Sequence, residues 1–224
     1  MKSKAVIIIA LIFFIAPIIL SQNLPNPISA RHHDGFFLRY VAGGGTGNYQ
    51  SEPVGSATDY FNKFKFSGGL PISSALQIGG TVSENVIVFG EVCSNLLLSP
   101  DGEIWRENAD VTVNQVLFGG VGPGITYYFM PVNIYVSGSL LYTVGVHDYE
   151  ATYSSIFLQE EVMERRGALG FATHFIVGKE WWVGEEVGIG ASAYAYLGWL
   201  SDPDFKDRSI TSNSFGVMFS LTYN

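Results

Sequence analysis

Apolar and polar residues alternate with period two in eight separate stretches of this chain. The stretch 214–223, SFGVMFSLTY, is the clearest: Phe215, Val217, Phe219, Leu221 and Tyr223 take one face, and Ser214, Gly216, Met218, Ser220 and Thr222 the other. Alternation of this kind sends one set of side chains to each side of a β-strand. The same rhythm predicts strands over 35–43, 71–81, 86–95, 115–129, 134–144, 167–178 and 187–199. In 187–199 the face made by Val187, Ile189, Ala191, Ala193, Ala195, Leu197 and Trp199 is apolar throughout, while Gly188, Ser192, Tyr194 and Tyr196 lie opposite. Strands of about 9–11 residues suit a tilted crossing of a bilayer. A soluble edge strand with one such apolar face invites aggregation, and closing a barrel removes the edge.

Between these strands short and long connections take turns. Short turns are expected at 82–85, 130–133 and around 179–182, and long polar loops at 44–67, 96–114, 145–165 and 200–211. Eight strands, three short turns and four long loops give an all-β, eight-stranded antiparallel transmembrane barrel, with short turns on the periplasmic side and long loops outside. Phe36, Tyr127, Phe129, Trp181, Trp182 and Tyr223 cluster near the short turns and Tyr142 and Trp199 near the long loops, where aromatic girdles belong.

The first thirty residues read differently. Lys2 and Lys4 precede the apolar run 5–20, and a polar stretch ends in Ser29-Ala30. This is the pattern of a cleaved signal peptide over 1–30, leaving 31–224 as the barrel domain and the bacterial outer membrane as its destination. The run is short and holds Pro17, which disfavours a membrane anchor. Cys93 is the only cysteine, so no intramolecular disulfide forms.

Composition agrees with that picture. Only 14% of residues are charged, 14% are aromatic, and Gly occurs 26 times, a β-rich membrane profile. The net charge of −8 argues against a nucleic-acid partner, which requires a basic patch. Acid is concentrated in two loops. Asp101, Glu103, Glu107 and Asp110 oppose Arg106, and Asp148, Glu150, Glu160, Glu161 and Glu164 oppose Arg165. Such blocks of charge are expected as solvated loops, and the alternative is that their carboxylates hold divalent cations and through them meet a lipopolysaccharide surface or a basic partner.

From residue 35 onward the chain resembles the small outer-membrane β-barrel proteins, the OmpX- and OmpW-like group in broad architecture. The most specific match is the last strand, where Ser214, Gly216, Phe219 and Leu221, with Tyr223 near the end, fit the signal that such proteins present to the barrel assembly machinery. The usual terminal aromatic is replaced by Asn224, with Tyr223 beside it. A monomer in outer-membrane lipid and lipopolysaccharide, with no cofactor, is the expectation.

The remaining motifs carry little chemistry. Gly188-Ile189-Gly190-Ala191-Ser192-Ala193 fits a loose dinucleotide pattern but lies inside a strand, with no helix opening on it. The run Gly43–Gly45 and Gly47 lacks the Lys-Ser/Thr of a phosphate loop. Neither His32-His33-Asp34 nor His147-Asp148 with Glu150 has a spacing that forces metal ligands together. No G-x-S-x-G occurs, and no base–nucleophile pair is visible, although His174 faces inward with Ala168, Gly170 and Ala172. Arg39 and Glu91 are the inward charges, expected as an ion pair that fills a narrow lumen. The leading functional expectation is a non-enzymatic surface barrel whose loops meet the envelope or an external partner. A narrow conduit for small apolar molecules and a lipid-modifying barrel enzyme are the alternatives.

Overall fold

The computed structural model describes residues 35–53, 64–68, 70–98, 100–104, 109–130, 132–154, 159–184, 186–201 and 208–223. Ten strands follow one another: β1 Phe36–Pro53, β2 Phe64–Ser67, β3 Leu70–Ser83, β4 Val86–Leu98, β5 Asp101–Ile104, β6 Ala109–Phe129, β7 Ile134–Ser154, β8 Gln159–Trp182, β9 Val187–Ser201 and β10 Arg208–Tyr223. All pairings are antiparallel, and β10 returns to β1 from Leu38↔Tyr223 to Pro53↔Arg208, which closes the sheet. Eight strands form the barrel wall; β2 and β5 extend it. Their pairing Ser67↔Asp101 continues Leu70↔Leu98 in the same register, so β2 with β3 and β4 with β5 make one long hairpin. Gly68, with φ of 75°, bends the chain between β2 and β3.

Around the barrel, Tyr40 pairs with Leu76, Leu76 with Val92, and then Val121, Tyr142, Phe171, Trp199 and Thr211 follow, arriving back on β1 at Gln50. That climb of ten residues per circuit tilts the strands. An eight-stranded barrel of this kind has an interior that side chains can just fill.

The predicted faces are the observed ones. Phe36, Tyr40, Ile72, Leu76, Val88, Val92, Val121, Leu140, Phe171, Trp199, Val217 and Phe219 are exposed outward, while Phe37, Val41, Ile87, Leu141, Ile176, Tyr196 and Met218 are buried inside. Lipid offers no hydrogen bonds, so closure of every wall strand on a neighbour is the condition for this apolar exterior. Rings gather at both ends of the band. Phe36 and Tyr223 lie 6.4 Å apart and Tyr127 and Phe129 4.8 Å apart at the short-turn end. Tyr142 and Phe171 lie 5.8 Å apart at the other.

Strand lengths depart from expectation most at the long-loop end. Much of each predicted long loop is strand. β1 runs on to Pro53, β6 begins at Ala109, and β7 and β8 stay paired from Ile134↔Lys179 to Ser154↔Gln159. Residues 179–182, expected as a turn, end β8, and the chain bends at 183–184 and 186 before β9. The barrel therefore stands tall at the long-loop end. Outside the band neither face needs to be apolar, so the period-two signal fades while the backbone ladder continues. The proposed leader, 1–30, lies outside the described residues.

Candidate functional site

Arg39 reaches the lumen because β1 alternates, and with Phe37 and Val41 it is wholly buried. A buried guanidinium needs partners for its donors. Its Nε donates to Gln77 Oε1 at 2.7 Å and its Nη2 to Thr126 Oγ1 at 3.0 Å. Its Nη1 lies 3.4 Å from the Tyr128 hydroxyl and 3.7 Å from Glu180 Oε1. The flat face of the group stacks on Tyr135, 4.2 Å from the ring centre. Glu180 is held in turn by Tyr128 at 3.0 Å and Thr222 at 2.6 Å.

Gln77 passes the network on. Its Nε2 donates to Glu91 Oε2 at 2.7 Å, and Ser139 donates to the same oxygen at 2.7 Å. The other carboxylate oxygen, Oε1, meets His174 Nδ1 at 2.6 Å. Arg39 and Glu91 thus meet through Gln77 rather than as the direct ion pair expected from sequence. The acid nearest Arg39 is Glu180, which sequence reasoning left in a turn. Glu180 has the parity of His174 and Ile176, so the alternation of β8 carried to Trp182 would have placed it inside. One connected file of side chains runs from Thr222 on β10 through Glu180, Arg39, Gln77 and Glu91 to His174, crossing the lumen twice.

Phe37, Val41, Ile87, Tyr135, Leu141 and Ile176 pack around this file as one buried apolar cluster. Tyr49, Phe66, Leu97, Val116, Phe118, Ala168, Leu200 and Ile210 form a second buried cluster at the tall end. Against this upper cluster lies a small cavity, lined in part by Gly47, Pro71, Asn95, Leu97, Phe118 and Ser214. It has about 270 Å³ of free space including its open mouth. It sits where the β1–β3 ladder stops at Gly44↔Ile72 and the β1–β2 ladder starts at Asn48↔Ser67, one residue out of step. Asn95 is buried there: its Oδ1 accepts from Ser73 and Ser214, and its Nδ2 has no protein partner.

The chemistry of a hydrolase is not assembled by Glu91, His174 and Ser139. Ser139 donates to the carboxylate, and His174 Nε2, the nitrogen that would activate a nucleophile, touches no hydrogen-bond partner. Among the described residues no group of three His, Cys, Asp or Glu could hold a metal ion. His32-His33-Asp34 lies outside the described residues, and His147, Asp148 and Glu150 fall in β7. Residues of the expected assembly signal sit on β10: Phe219, Leu221 and Tyr223 face outward, Ser214 faces in, and Gly216 pairs with Gly45 at the closing seam.

The tall end exposes backbone. β8 pairs with β9 only from Leu169↔Ser201 to Trp182↔Gly188. From Gln159 to Ala168 it is paired with β7 on one side, and among the described residues no strand pairs its other side. An unpaired strand edge is a template for another strand.

No protein-family model matches this sequence, and no curated protein matches it. Solved structures do. Ail, the attachment invasion locus protein of Yersinia pestis, is 13% identical over 84% of this chain and 99% of its own, with a TM-score of 0.37. The outer membrane protease OmpT from Escherichia coli is 10% identical over 89% and 98%, with a TM-score of 0.46. Neisserial surface protein A is 8% identical over 84% and 96%, with a TM-score of 0.37. The eight-stranded barrel itself is established by the strand pairing.

Proposed function

We propose that this chain is a bacterial outer-membrane surface barrel with a closed lumen, which acts through the hairpins at its tall end. The apolar band seats in the bilayer, short turns face the periplasm, and the tall hairpins meet lipopolysaccharide or an external partner. One observation carries the closed lumen: the buried file from Thr222 through Arg39 and Gln77 to Glu91 and His174 spans the cross-section. Its charges are braced against each other, and removing any of them exposes another.

The projecting hairpin supports the role of the tall end. β7 and β8 run ten residues beyond Val144↔Leu169, about 33 Å along the strand. That length adds nothing to a lipid-facing band about 25 Å tall. Delivery by the barrel assembly machinery, with β10 as its signal, belongs to the same proposal. A conduit for small apolar molecules has one feature in its favour, the cavity beside Asn95, but it would have to part the brace below.

Expression with and without heating tests the first half. The protein is expected in the outer-membrane fraction, with a gel mobility that changes on boiling. Planar bilayers test the second, and no discrete conductance steps are expected. Recovery from the soluble periplasm would remove the location, and steady ion conduction would remove the closed lumen.

A further inference from the structure

The edge of β8 that no strand pairs among the described residues carries the heptapeptide Glu160-Glu161-Val162-Met163-Glu164-Arg165-Arg166. Two copies of this segment set antiparallel about Met163 place Glu160 at the position opposite Arg166 and Glu161 opposite Arg165. The two-fold axis repeats both pairs, so four Glu–Arg positions match. Moving one strand by two residues brings Glu160 against Glu164 in one direction and Glu164 against itself in the other. In-register parallel pairing sets like charge against like throughout. Opposite charges directly across a strand pair attract and like charges repel. The antiparallel register about Met163 is therefore the one that sets both Arg residues of each copy against a Glu of the other.

Direction fixes where the second copy must stand. Barrels inserted side by side in one membrane share an orientation, so their β8 strands run the same way. An antiparallel partner comes from a facing membrane. From Leu169 to Met163 each strand rises about 15 Å above the band, allowing for a tilt near 40°. The paired edges would then bridge two surfaces about 30 Å apart.

We infer that the β8 edge, Gln159–Ala168, is a homotypic contact that joins this protein to a second copy on an opposing membrane by antiparallel strand addition. The inference rests on the proposed membrane barrel and names the partner of its tall end. Backbone hydrogen bonds along the edge supply adhesion, and the Glu–Arg positions supply register.

Vesicle tethering tests it. Wild type is inserted into dimyristoylphosphatidylcholine vesicles carrying one of two dyes, and insertion is checked by the heat-dependent gel shift. Two variants are prepared alongside, Glu160→Lys with Glu161→Lys, and Arg165→Glu with Arg166→Glu. Wild-type vesicles are expected to cluster, raising mean particle size severalfold, and to disperse at high salt. Each variant alone is expected to remain dispersed, and the two variants mixed are expected to cluster with both dyes in each particle. Dispersed wild type after proven insertion would overturn the inference, as would clustering of either variant alone or failure of the mixture. Failure to insert would instead sink the membrane-barrel reading.

Discussion

His174 on β8 and Glu91 on β4 touch across the barrel, with Nδ1 and Oε1 2.6 Å apart and both side chains buried. Two wall strands, β6 and β7, separate them on the shorter path, so the contact ties well-separated sides of the cylinder. Glu91 also takes hydrogen bonds from Gln77 and Ser139. One carboxylate therefore gathers strands β3, β4, β7 and β8.

Removing that carboxylate strands several donors at once. Glu91→Ala is expected to destabilise the folded barrel by about 3–5 kcal/mol, the scale of breaking a buried charge pair. Glu91→Ala with His174→Ala is expected to cost less than the two single changes together, because the partners share one interaction. Urea titration of refolded protein, followed by tryptophan fluorescence, gives both numbers. Strict additivity would mean that the two residues do not act as a pair.

Gln77 invites a separate test, because its amide joins the Arg39 half of the file to the Glu91 half. Gln77→Leu preserves bulk but leaves Arg39 Nε and Glu91 Oε2 each short of a partner. A loss of about 1–3 kcal/mol is expected, the cost of unsatisfied buried groups. An unchanged urea midpoint would show that water replaces the amide without penalty.

The wall has its own expectation. Val217 faces outward within the band, 64% exposed, while Ser209 lies eight residues nearer the tall end on the same face of β10. Val217→Arg is expected to cost about 2–4 kcal/mol and Ser209→Arg about 0–1 kcal/mol, because the penalty falls with distance from the bilayer midplane. Equal losses at both positions would move the membrane away from the band.

Much of this was legible in the chain. Period two gave the inward set, including Arg39, Glu91 and His174, and the outward set from Phe36 to Tyr223. What it could not give was connectivity across the lumen. Gln77 is one more small polar position in sequence, and only the curvature of the wall brings it between Arg39 and Glu91. Glu180 sits beside Trp181 and Trp182, where aromatic residues suggested the end of the strand. The tall hairpins were hidden for a different reason: beyond the band both faces are wet, so strands lose the contrast that marks them.

Closure of the barrel depends on glycine at one seam. A Cβ on Gly45 would overlap the carbonyl oxygen of Phe215, and one on Gly216 would overlap that of Gly44. On Gly47 the nearest atom would be the Asn213 carbonyl oxygen at 3.1 Å, a contact that small shifts relieve. Gly45→Ala is therefore expected to slow or prevent barrel formation, seen as loss of the heat-shifted band on refolding. Gly47→Ala should refold. Equal refolding of both variants would show that the β1–β10 ladder is looser than its geometry.

The projecting part of β7 and β8 should be dispensable for folding. The band ends near Val144 and Leu169, and Val146↔Gly167 is a pairing from which the hairpin can be closed early. Replacing residues 147–166 by Asn-Gly supplies the two-residue turn that matches the twist of the flanking strands. It also removes Asp148, Glu150, Glu160, Glu161 and Glu164, together with Arg165 and Arg166. The lower network from Arg39 to His174 and the apolar cluster around Phe118 keep their residues. The shortened protein is expected to insert, to show the heat-dependent shift, and to unfold in urea within about 1 kcal/mol of wild type, the range for changes away from packed contacts. A shortened chain that cannot refold, while the full chain does, would make the tall hairpin part of the folding unit rather than a device carried on it.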